Sequence, residues 1–167
     1  MSHRIFLLGD DIDTDQLAPG QYMRGGIEAL AAHCLEATRP DFAKTVRAGD
    51  IVVAGRNFGA GSSREQAAEA LRHLRVAGVI ALSFAGIFYR NAVNLGLPVM
   101  IAPSLEGVED GDVAMLDAAS GVLRLTAKGR DVALEPMPEN LRTIINDGGL
   151  VPHLKKRFAA QHQGVVQ

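Results

Sequence analysis

The stretch that decides the fold is IVVAGRNFGAGSSREQAAEALRHLRVAGVIALSFAGIFYRNAVNLGLPVMIA, residues 51–102. It alternates short apolar runs with longer segments of helix-forming residues. Strands are predicted at 51–54, 76–82 and 97–102, with helices between them at 63–72 and 84–95. This strand–helix–strand–helix–strand order is typical of right-handed crossover units, so these residues predict a parallel sheet.

The flanks of this stretch follow different patterns. On the N-terminal side we expect a strand at 4–8, acidic turns at 9–15, a loop at 19–26 and an amphipathic helix at 27–35. On the C-terminal side, strands at 113–117, 122–126 and 132–135 precede helices at 138–147 and from 152 onward. Turn residues separate those three strands, so they predict an antiparallel meander. We therefore expect an α/β fold with a mainly parallel central sheet and a C-terminal antiparallel strand segment.

Composition limits the class of protein. The chain has 167 residues, 47% hydrophobic and 22% charged, which is typical of a single soluble globular domain spanning residues 1–167. A formal charge of −2 gives no electrostatic reason to expect nucleic acid or an anionic membrane as a partner. No apolar run approaches the ~20 residues of a membrane span, and the first residues lack a signal-peptide core. These features favour a cytoplasmic protein.

Cysteine usage excludes two kinds of site. Cys34 is the only cysteine, so this chain can form neither an intrachain disulfide nor a cysteine-ligated cluster of its own. We predict no metal site and no cofactor bound by this chain alone.

The loop after the strand at 51–54 carries a pattern that suits an anion. Gly59 and Gly61 let the backbone turn sharply and approach a ligand closely. Ser62 and a glutamate three residues later have capping-box spacing, which predicts free backbone N–H groups at the positive end of a helix dipole. Arg64 adds a planar fork of donors for a carboxylate or phosphate.

These polar segments also allow other interpretations. A well-capped helix after a glycine turn would need the same residues, and the residue pattern alone leaves that alternative open. A Walker loop is excluded because no lysine follows Gly61, and a dinucleotide fingerprint would need a glycine where Arg64 stands. Asp10, Asp13 and Asp15 lack the glycine and final glutamate of a calcium loop and favour turn hydrogen bonds instead.

Four blocks resemble the swivelling domain of the aconitase superfamily. GRNFGAGSSRE at 55–65 is similar to the superfamily's catalytic loop, and DDIDTDQ at 10–16 precedes it. SFAGIFYRN at 83–91 and NLGLP at 94–98 follow in the expected order. Within the superfamily the chain looks most like the small subunits of 3-isopropylmalate dehydratase. The resemblance implies a swivel-type β/β/α domain.

The same resemblance implies a function. It implies a lyase that dehydrates a 2-hydroxy di- or tricarboxylic acid and rehydrates the product with the hydroxyl on the neighbouring carbon. It also implies a large partner subunit with a [4Fe–4S] cluster, in a heterodimer or heterotetramer, without which this chain is inactive. Ser62 is the implied base, and Ser63 and Arg64 are implied to bind the substrate carboxylate. The residues implied to support this site are Asp10, Asp15, Gly59, Gly61 and Glu65.

Substrate choice is expected to depend on residues 21–26, which resemble the family's substrate-recognition segment. If Met23 points inward, 3-isopropylmalate of leucine biosynthesis or 2,3-dimethylmalate fits. If Arg24 points inward, homoaconitate, citrate or another tricarboxylic acid becomes possible, and a solvated surface arginine is the third alternative. We take 3-isopropylmalate first because the rest of the chain resembles that branch. Ala60 and Gln66 depart from the cysteine and histidine that relatives often carry there.

A hypothesis of another class is a non-catalytic carboxylate-binding module that kept the fold and lost its partner. The intact pair Ser62 and Ser63 favours the catalytic interpretation, because a binder would not need both hydroxyls. We also expect that the isolated subunit can self-associate through an exposed apolar face.

Overall fold

The structure, a computed structural model, describes residues 2–163. Its strands are β1 (His3–Leu7), β2 (Ile51–Ala54), β3 (Gly78–Ala81), β4 (Val99–Ile101), β5 (Val113–Asp117), β6 (Val122–Leu125) and β7 (Arg130–Ala133). They form one sheet in the order β4-β3-β2-β1-β5-β6-β7. Strands β1 to β4 pair in parallel, whereas β5 joins β1 antiparallel and β6 and β7 continue that pattern. The predicted parallel sheet with an antiparallel C-terminal segment is confirmed.

Seven α-helices and one 3-10 helix lie in the described residues. They are α1 (Thr14–Leu17), α2 (Gly26–Ala32), α3 (Phe42–Thr45), α4 (Gln66–His73), α5 (Gly86–Asn94), α6 (Glu139–Asn146) and α7 (Leu150–Gln163), with the 3-10 helix at Gly20–Gly25. The segments expected to be turn and loop before residue 26 therefore hold a short helix each. Among residues 2–163, no helix is long and apolar enough to cross a membrane.

The apolar core has two parts, one on each face of the parallel strands. Phe6 and Val52 pack with the apolar faces of α2, α4 and α5 on one side. Their neighbours Ile5 and Ile51 pack on the other side with residues of β6 and β7, including Leu123. Because side chains alternate along a strand, adjacent residues reach opposite faces. The apolar runs of β2 and β3 are buried throughout, as expected for strands covered on both faces.

The predicted capping box at Ser62 and Glu65 is wrong. Helix α4 begins at Gln66, and Glu65 precedes it with helical backbone angles and no side-chain cap hydrogen bond. A capping box exists instead at the start of α1, where Asp13 accepts from the Gln16 backbone at 2.8 Å and the Gln16 side chain accepts from Asp13 N–H at 2.9 Å. The Ser62 hydroxyl is held by a contact with α1 rather than by its own helix.

Candidate active site

The candidate site forms where the segments after β1 and β2 meet. These strands are parallel neighbours, so their carboxyl ends open at the same edge of the sheet. Gly59 N–H donates to the carbonyl of Ile12 at 2.7 Å, and Thr14 N–H donates to the carbonyl of Ala60 at 2.8 Å. This short ladder joins the glycine-rich loop to the start of α1 and fixes how the two segments lie relative to each other.

Two glycines set the course of the loop. Gly59 has φ +84° and Gly61 has φ +105°, both in the left-handed region that glycine adopts without strain. At Gly59 a Cβ would lie 2.2 Å from the Cγ of Phe88, a buried residue of α5. The loop can therefore pass against α5 only because residue 59 has no side chain.

Ser62 is exposed, and its hydroxyl lies beside a second hydroxyl from another part of the chain. The oxygen atoms of Ser62 Oγ and Thr14 Oγ1 are 3.1 Å apart. The Ser62 backbone N–H also donates to Thr14 Oγ1, at 3.2 Å. Thr14 is 3% exposed. Thr14 was not among the residues predicted from the sequence, where its one signal is its position inside the DDIDTDQ block.

The side chain of Arg64, two residues after Ser62, is held by two acceptors. Its Nη1 donates to Asp15 Oδ1 at 3.1 Å and to the carbonyl of Ala18 at 2.8 Å. Within residues 2–163, the side-chain hydrogen bonds of Arg64 both use Nη1, which leaves Nε and Nη2 available to an incoming anion. The hydrogen bond from Arg64, and then the Gly20 N–H, hold the pKa of the Asp15 carboxyl below its ordinary value. Asp15 therefore stays ionised beside the cation.

Ser63 and Glu65 lie at the surface next to these residues. The side chains of both are exposed. The carbonyl of Ser63 accepts a hydrogen bond from Asn91 Nδ2 of α5 at 3.3 Å, which holds the backbone between the two glycines and α4. This leaves the Ser63 hydroxyl available to solvent or a ligand.

The side chain of Asp10 holds the backbone at the beginning of the loop. Its Oδ1 accepts from the Arg56 N–H at 2.6 Å, and Gly55 leaves the space for this carboxylate, because a Cβ there would lie 1.8 Å from Asp10 Oδ1. The contact is with a backbone N–H and not with an arginine side chain. Asn57, whose backbone lies in the left-handed region, donates a hydrogen bond from its side-chain amide to Asp11 at 3.0 Å, a contact that was not predicted from the sequence.

The expected recognition segment lies in the 3-10 helix and continues from this site. Gly20 N–H donates to Asp15 Oδ1 at 3.2 Å, so the same carboxylate contacts both Arg64 and the start of that helix. Met23 is partly buried and packs against the part of the core that lies between the sheet and helices α2, α4 and α5. Arg24 is exposed. The two residues that gave opposite hints about substrate thus point to different surroundings.

In the described part of the chain, the residues that could bind a metal are not gathered in one place. Cys34 is fully buried in the core, and burial raises the pKa of its thiol well above the ordinary value. Across residues 2–163, no group of three or more His, Cys, Asp or Glu side chains is placed to hold a metal ion. A single inaccessible thiol does not fit an iron–sulfur cluster, which needs several thiolate ligands.

The sheet order and the Ser-Ser-Arg loop at the edge of the parallel strands define the class, a swivel-type domain of the kind found in aconitase-like hydro-lyases. A model of the aconitase C-terminal domain matches residues 30–104. The methanogen homoaconitase small subunit of Methanothermobacter thermautotrophicus is 49% identical over 92% of this chain and 89% of its own. The 3-isopropylmalate dehydratase small subunit of Methanosarcina mazei is 45% identical over 93% of this chain and 97% of its own.

A solved structure agrees with these relatives. The crystal structure of 3-isopropylmalate dehydratase (leuD) from Methanocaldococcus jannaschii superposes with a TM-score of 0.92, at 42% identity over 98% of both chains. This chain belongs to the family of 3-isopropylmalate dehydratase and homoaconitase small subunits within the aconitase superfamily. It is thus a hydro-lyase subunit, and a small subunit of this family implies a large-subunit partner.

Proposed function

We propose that this chain is the cytoplasmic small subunit of a 3-isopropylmalate dehydratase that acts in leucine biosynthesis. As one domain over residues 1–167, it supplies Ser62 as the base to an active site shared with an iron–sulfur large subunit. The observation that carries the proposal is the exposed Ser62 hydroxyl, held by Thr14 in the loop that also carries the anchored Arg64.

A serine hydroxyl needs help to remove a proton from carbon. It is a poor base in water, so it acts only where positive charge and hydrogen-bond donors stabilise the oxyanion and water is excluded. Arg64 supplies the positive charge, held in place by Asp15 and the Ala18 carbonyl. Ser62 is exposed in this chain alone, so exclusion of water must come from closure against the partner. The isolated chain should accordingly be inactive.

The neighbouring residues suit the carboxylate next to the carbon that loses its proton. Arg64 Nε and Nη2 present the planar pair of donors that carboxylates bind. The exposed Ser63 hydroxyl adds another donor at the same surface. Binding there would hold the substrate carbon near Ser62 Oγ, and the proton would pass from that carbon to the deprotonated serine oxygen, which becomes the hydroxyl again.

The rest of the site belongs to the partner. A [4Fe–4S] cluster in the large subunit would supply the Lewis acid for the substrate's hydroxyl. Within its described part, this chain offers one buried thiol and no set of metal ligands for such a cluster. We propose a heterodimer, or a heterotetramer made of two such pairs, as the active form.

A tricarboxylic substrate is the second candidate, and the similarity to a homoaconitase small subunit favours it. Arg24 would bind such a substrate only where closure against the partner brings this exposed side chain to the shared site. Met23 packs against the core, whereas the side chains of Gln21 and Arg24 are exposed. An exposed guanidinium suits the extra carboxylate of a homoaconitate- or citrate-like acid. The relative from Methanothermobacter thermautotrophicus carries the name homoaconitase small subunit.

The test is coexpression with the large subunit encoded near this chain's gene, followed by parallel assays on 3-isopropylmalate, homoaconitate, citrate and 2,3-dimethylmalate. We expect turnover by the complex, fastest with 3-isopropylmalate, and none by this chain alone. Arg24→Ala separates the candidates, with Arg157→Ala on α7 as an exposed-arginine control. A selective rise in KM for the tricarboxylic acids would identify the second candidate. Turnover by the isolated chain, or a complex inactive on all four acids, would reject the proposal.

A further inference from the structure

Thr14 carries a buried hydroxyl that contacts Ser62 and has no role of its own in the proposed reaction. It is one of two buried polar residues in the described chain, and the other, Asp50, accepts backbone hydrogen bonds from Arg4 and Arg47 near the opposite end of β1. Among residues 2–163, both hydrogen-bond contacts of the Thr14 hydroxyl are with Ser62. Its side chain is therefore dedicated to the serine.

The position of Thr14 is fixed by contacts on both sides. The capping box of Asp13 and Gln16 sets the first turn of α1, in which Thr14 is the first residue. Its own N–H donates to the carbonyl of Ala60 at 2.8 Å, two residues before Ser62. A Cβ at Gly61 would approach Thr14 Oγ1 to 3.2 Å, so the loop passes close to this hydroxyl. The Thr14 oxygen is thus held in place before any substrate binds.

The numbers of donors and acceptors determine which of the two hydroxyls donates the hydrogen bond. Thr14 Oγ1 has one proton to donate and two lone pairs, and one lone pair accepts from the Ser62 N–H. While Ser62 keeps its proton, either hydroxyl can donate to the other across the 3.1 Å contact. Once Ser62 has lost its proton, only Thr14 can donate. The contact is therefore compatible with both states of the serine and becomes charge-assisted in the deprotonated one.

We propose that Thr14 is a positioning residue that stabilises the deprotonated Ser62 oxygen by donating its buried hydroxyl to it. This inference rests on the proposed role of Ser62 as the base. Thr14 keeps its own proton throughout, and the substrate proton goes to Ser62 Oγ. The pairing is selective for the charged serine because a hydrogen bond to an ion is roughly twice as strong as one between neutral groups. Its burial keeps water from competing for the donor.

The test compares Thr14→Val, which keeps the shape and removes the hydroxyl, with Thr14→Ser, which keeps the hydroxyl. Both are assayed in the assembled complex with the large subunit, with Ser62→Ala alongside. We expect Thr14→Val to lower kcat on the order of 10- to 100-fold, and to move the acid limb of the pH profile up by about one to two units. KM should stay within a few-fold. Thr14→Ser should recover most of the lost rate and return the limb toward its parent position.

Other outcomes separate the two proposals. One such outcome is that Ser62→Ala loses activity while Thr14→Val keeps the parent's rate and the parent's acid limb. This outcome overturns the role of Thr14 and leaves the role of Ser62 intact. Equal losses in Thr14→Val and Thr14→Ser with an unmoved limb also overturn the role of Thr14, because they indicate a packing role. Near-normal turnover in Ser62→Ala overturns both proposals together. If Thr14→Val does not assemble, Thr14→Ala takes its place with the same pH readout, and an unmoved limb is again the contradicting result.

Discussion

Gly59 offers a quantitative test of how the glycine-rich loop that carries Ser62 is held. An alanine at this position must adopt φ +84°, which costs an L-residue about 1–2 kcal/mol. Its Cβ would also lie 2.2 Å from Phe88 Cγ and 2.3 Å from Phe88 Cβ. Phe88 cannot move away freely, because it is 2% exposed and its ring packs edge-on to Phe58 with centroids 5.2 Å apart.

Forcing such a contact in a packed interior costs about 1–3 kcal/mol more. We therefore expect Gly59→Ala to lower the free energy of unfolding by about 2–5 kcal/mol. For a chain of this length, that corresponds to a fall in Tm on the order of 5–15 °C.

The matched control is Gly86→Ala. Gly86 begins α5 near the same loop, has no positive φ, and would have nothing within 4 Å of an added Cβ. Alanine there should be neutral or stabilise by up to about 1 kcal/mol, because alanine favours the helix. Urea unfolding of the two purified variants, followed by circular dichroism, measures the difference. If the free energies of unfolding of Gly59→Ala and Gly86→Ala agree within about 0.5 kcal/mol, the close packing of the loop on α5 is wrong.

Arg64, the pair of Arg39 and Asp110, and Cys34 each give a further prediction. Arg64→Lys should raise KM about tenfold or more without unfolding the chain, because lysine cannot keep its bond to Asp15 and also present a planar pair of donors; an unchanged KM in steady-state assays would argue against carboxylate binding there. Hydrogen bonds from Arg39 lower the pKa of Asp110, so the pair's contribution to stability is present above about pH 4 and lost as pH falls through the lowered pKa. Asp110→Asn should remove this loss of stability at acid pH, which amounts to at most about 1 kcal/mol for such a partly exposed pair. An unchanged dependence of the free energy of unfolding on pH, measured by urea titrations, would contradict this prediction. Cys34, with a buried thiol of raised pKa, should react with thiol reagents only as fast as the chain unfolds, and rapid labelling of the native protein would contradict its burial.

The alternation of apolar runs and helix-forming segments was sufficient to predict the parallel half of the sheet. The strand predicted at 51–54 coincides with β2, because a short apolar run buried on both faces has little freedom to shift its ends. Helix starts were less predictable. The Ser-x-x-Glu spacing at Ser62 fits a capping box, yet the serine hydroxyl contacts Thr14 instead, and the box occurs at Asp13. Local spacing cannot distinguish these two outcomes, because a contact across 48 residues decides between them.

The candidate site shows the same division. The glycines and Arg64 were identifiable because their chemistry belongs to one continuous loop. Thr14 was not, since its role appears only when the segment after β1 lies beside that loop. Residues 21–26 stay a predicted recognition segment. Whether Met23 or Arg24 faces the core depends on the packing of the 3-10 helix, which the sequence pattern did not predict.

The most direct test of the account is the turnover number of the assembled complex carrying Ser62→Ala. A base that acts only in the transition state contributes to kcat and not to substrate affinity. We predict that kcat falls about 10²- to 10⁴-fold while KM stays within a few-fold. A complex that assembles normally and keeps kcat within about threefold of the parent would contradict the assignment of Ser62 as the base.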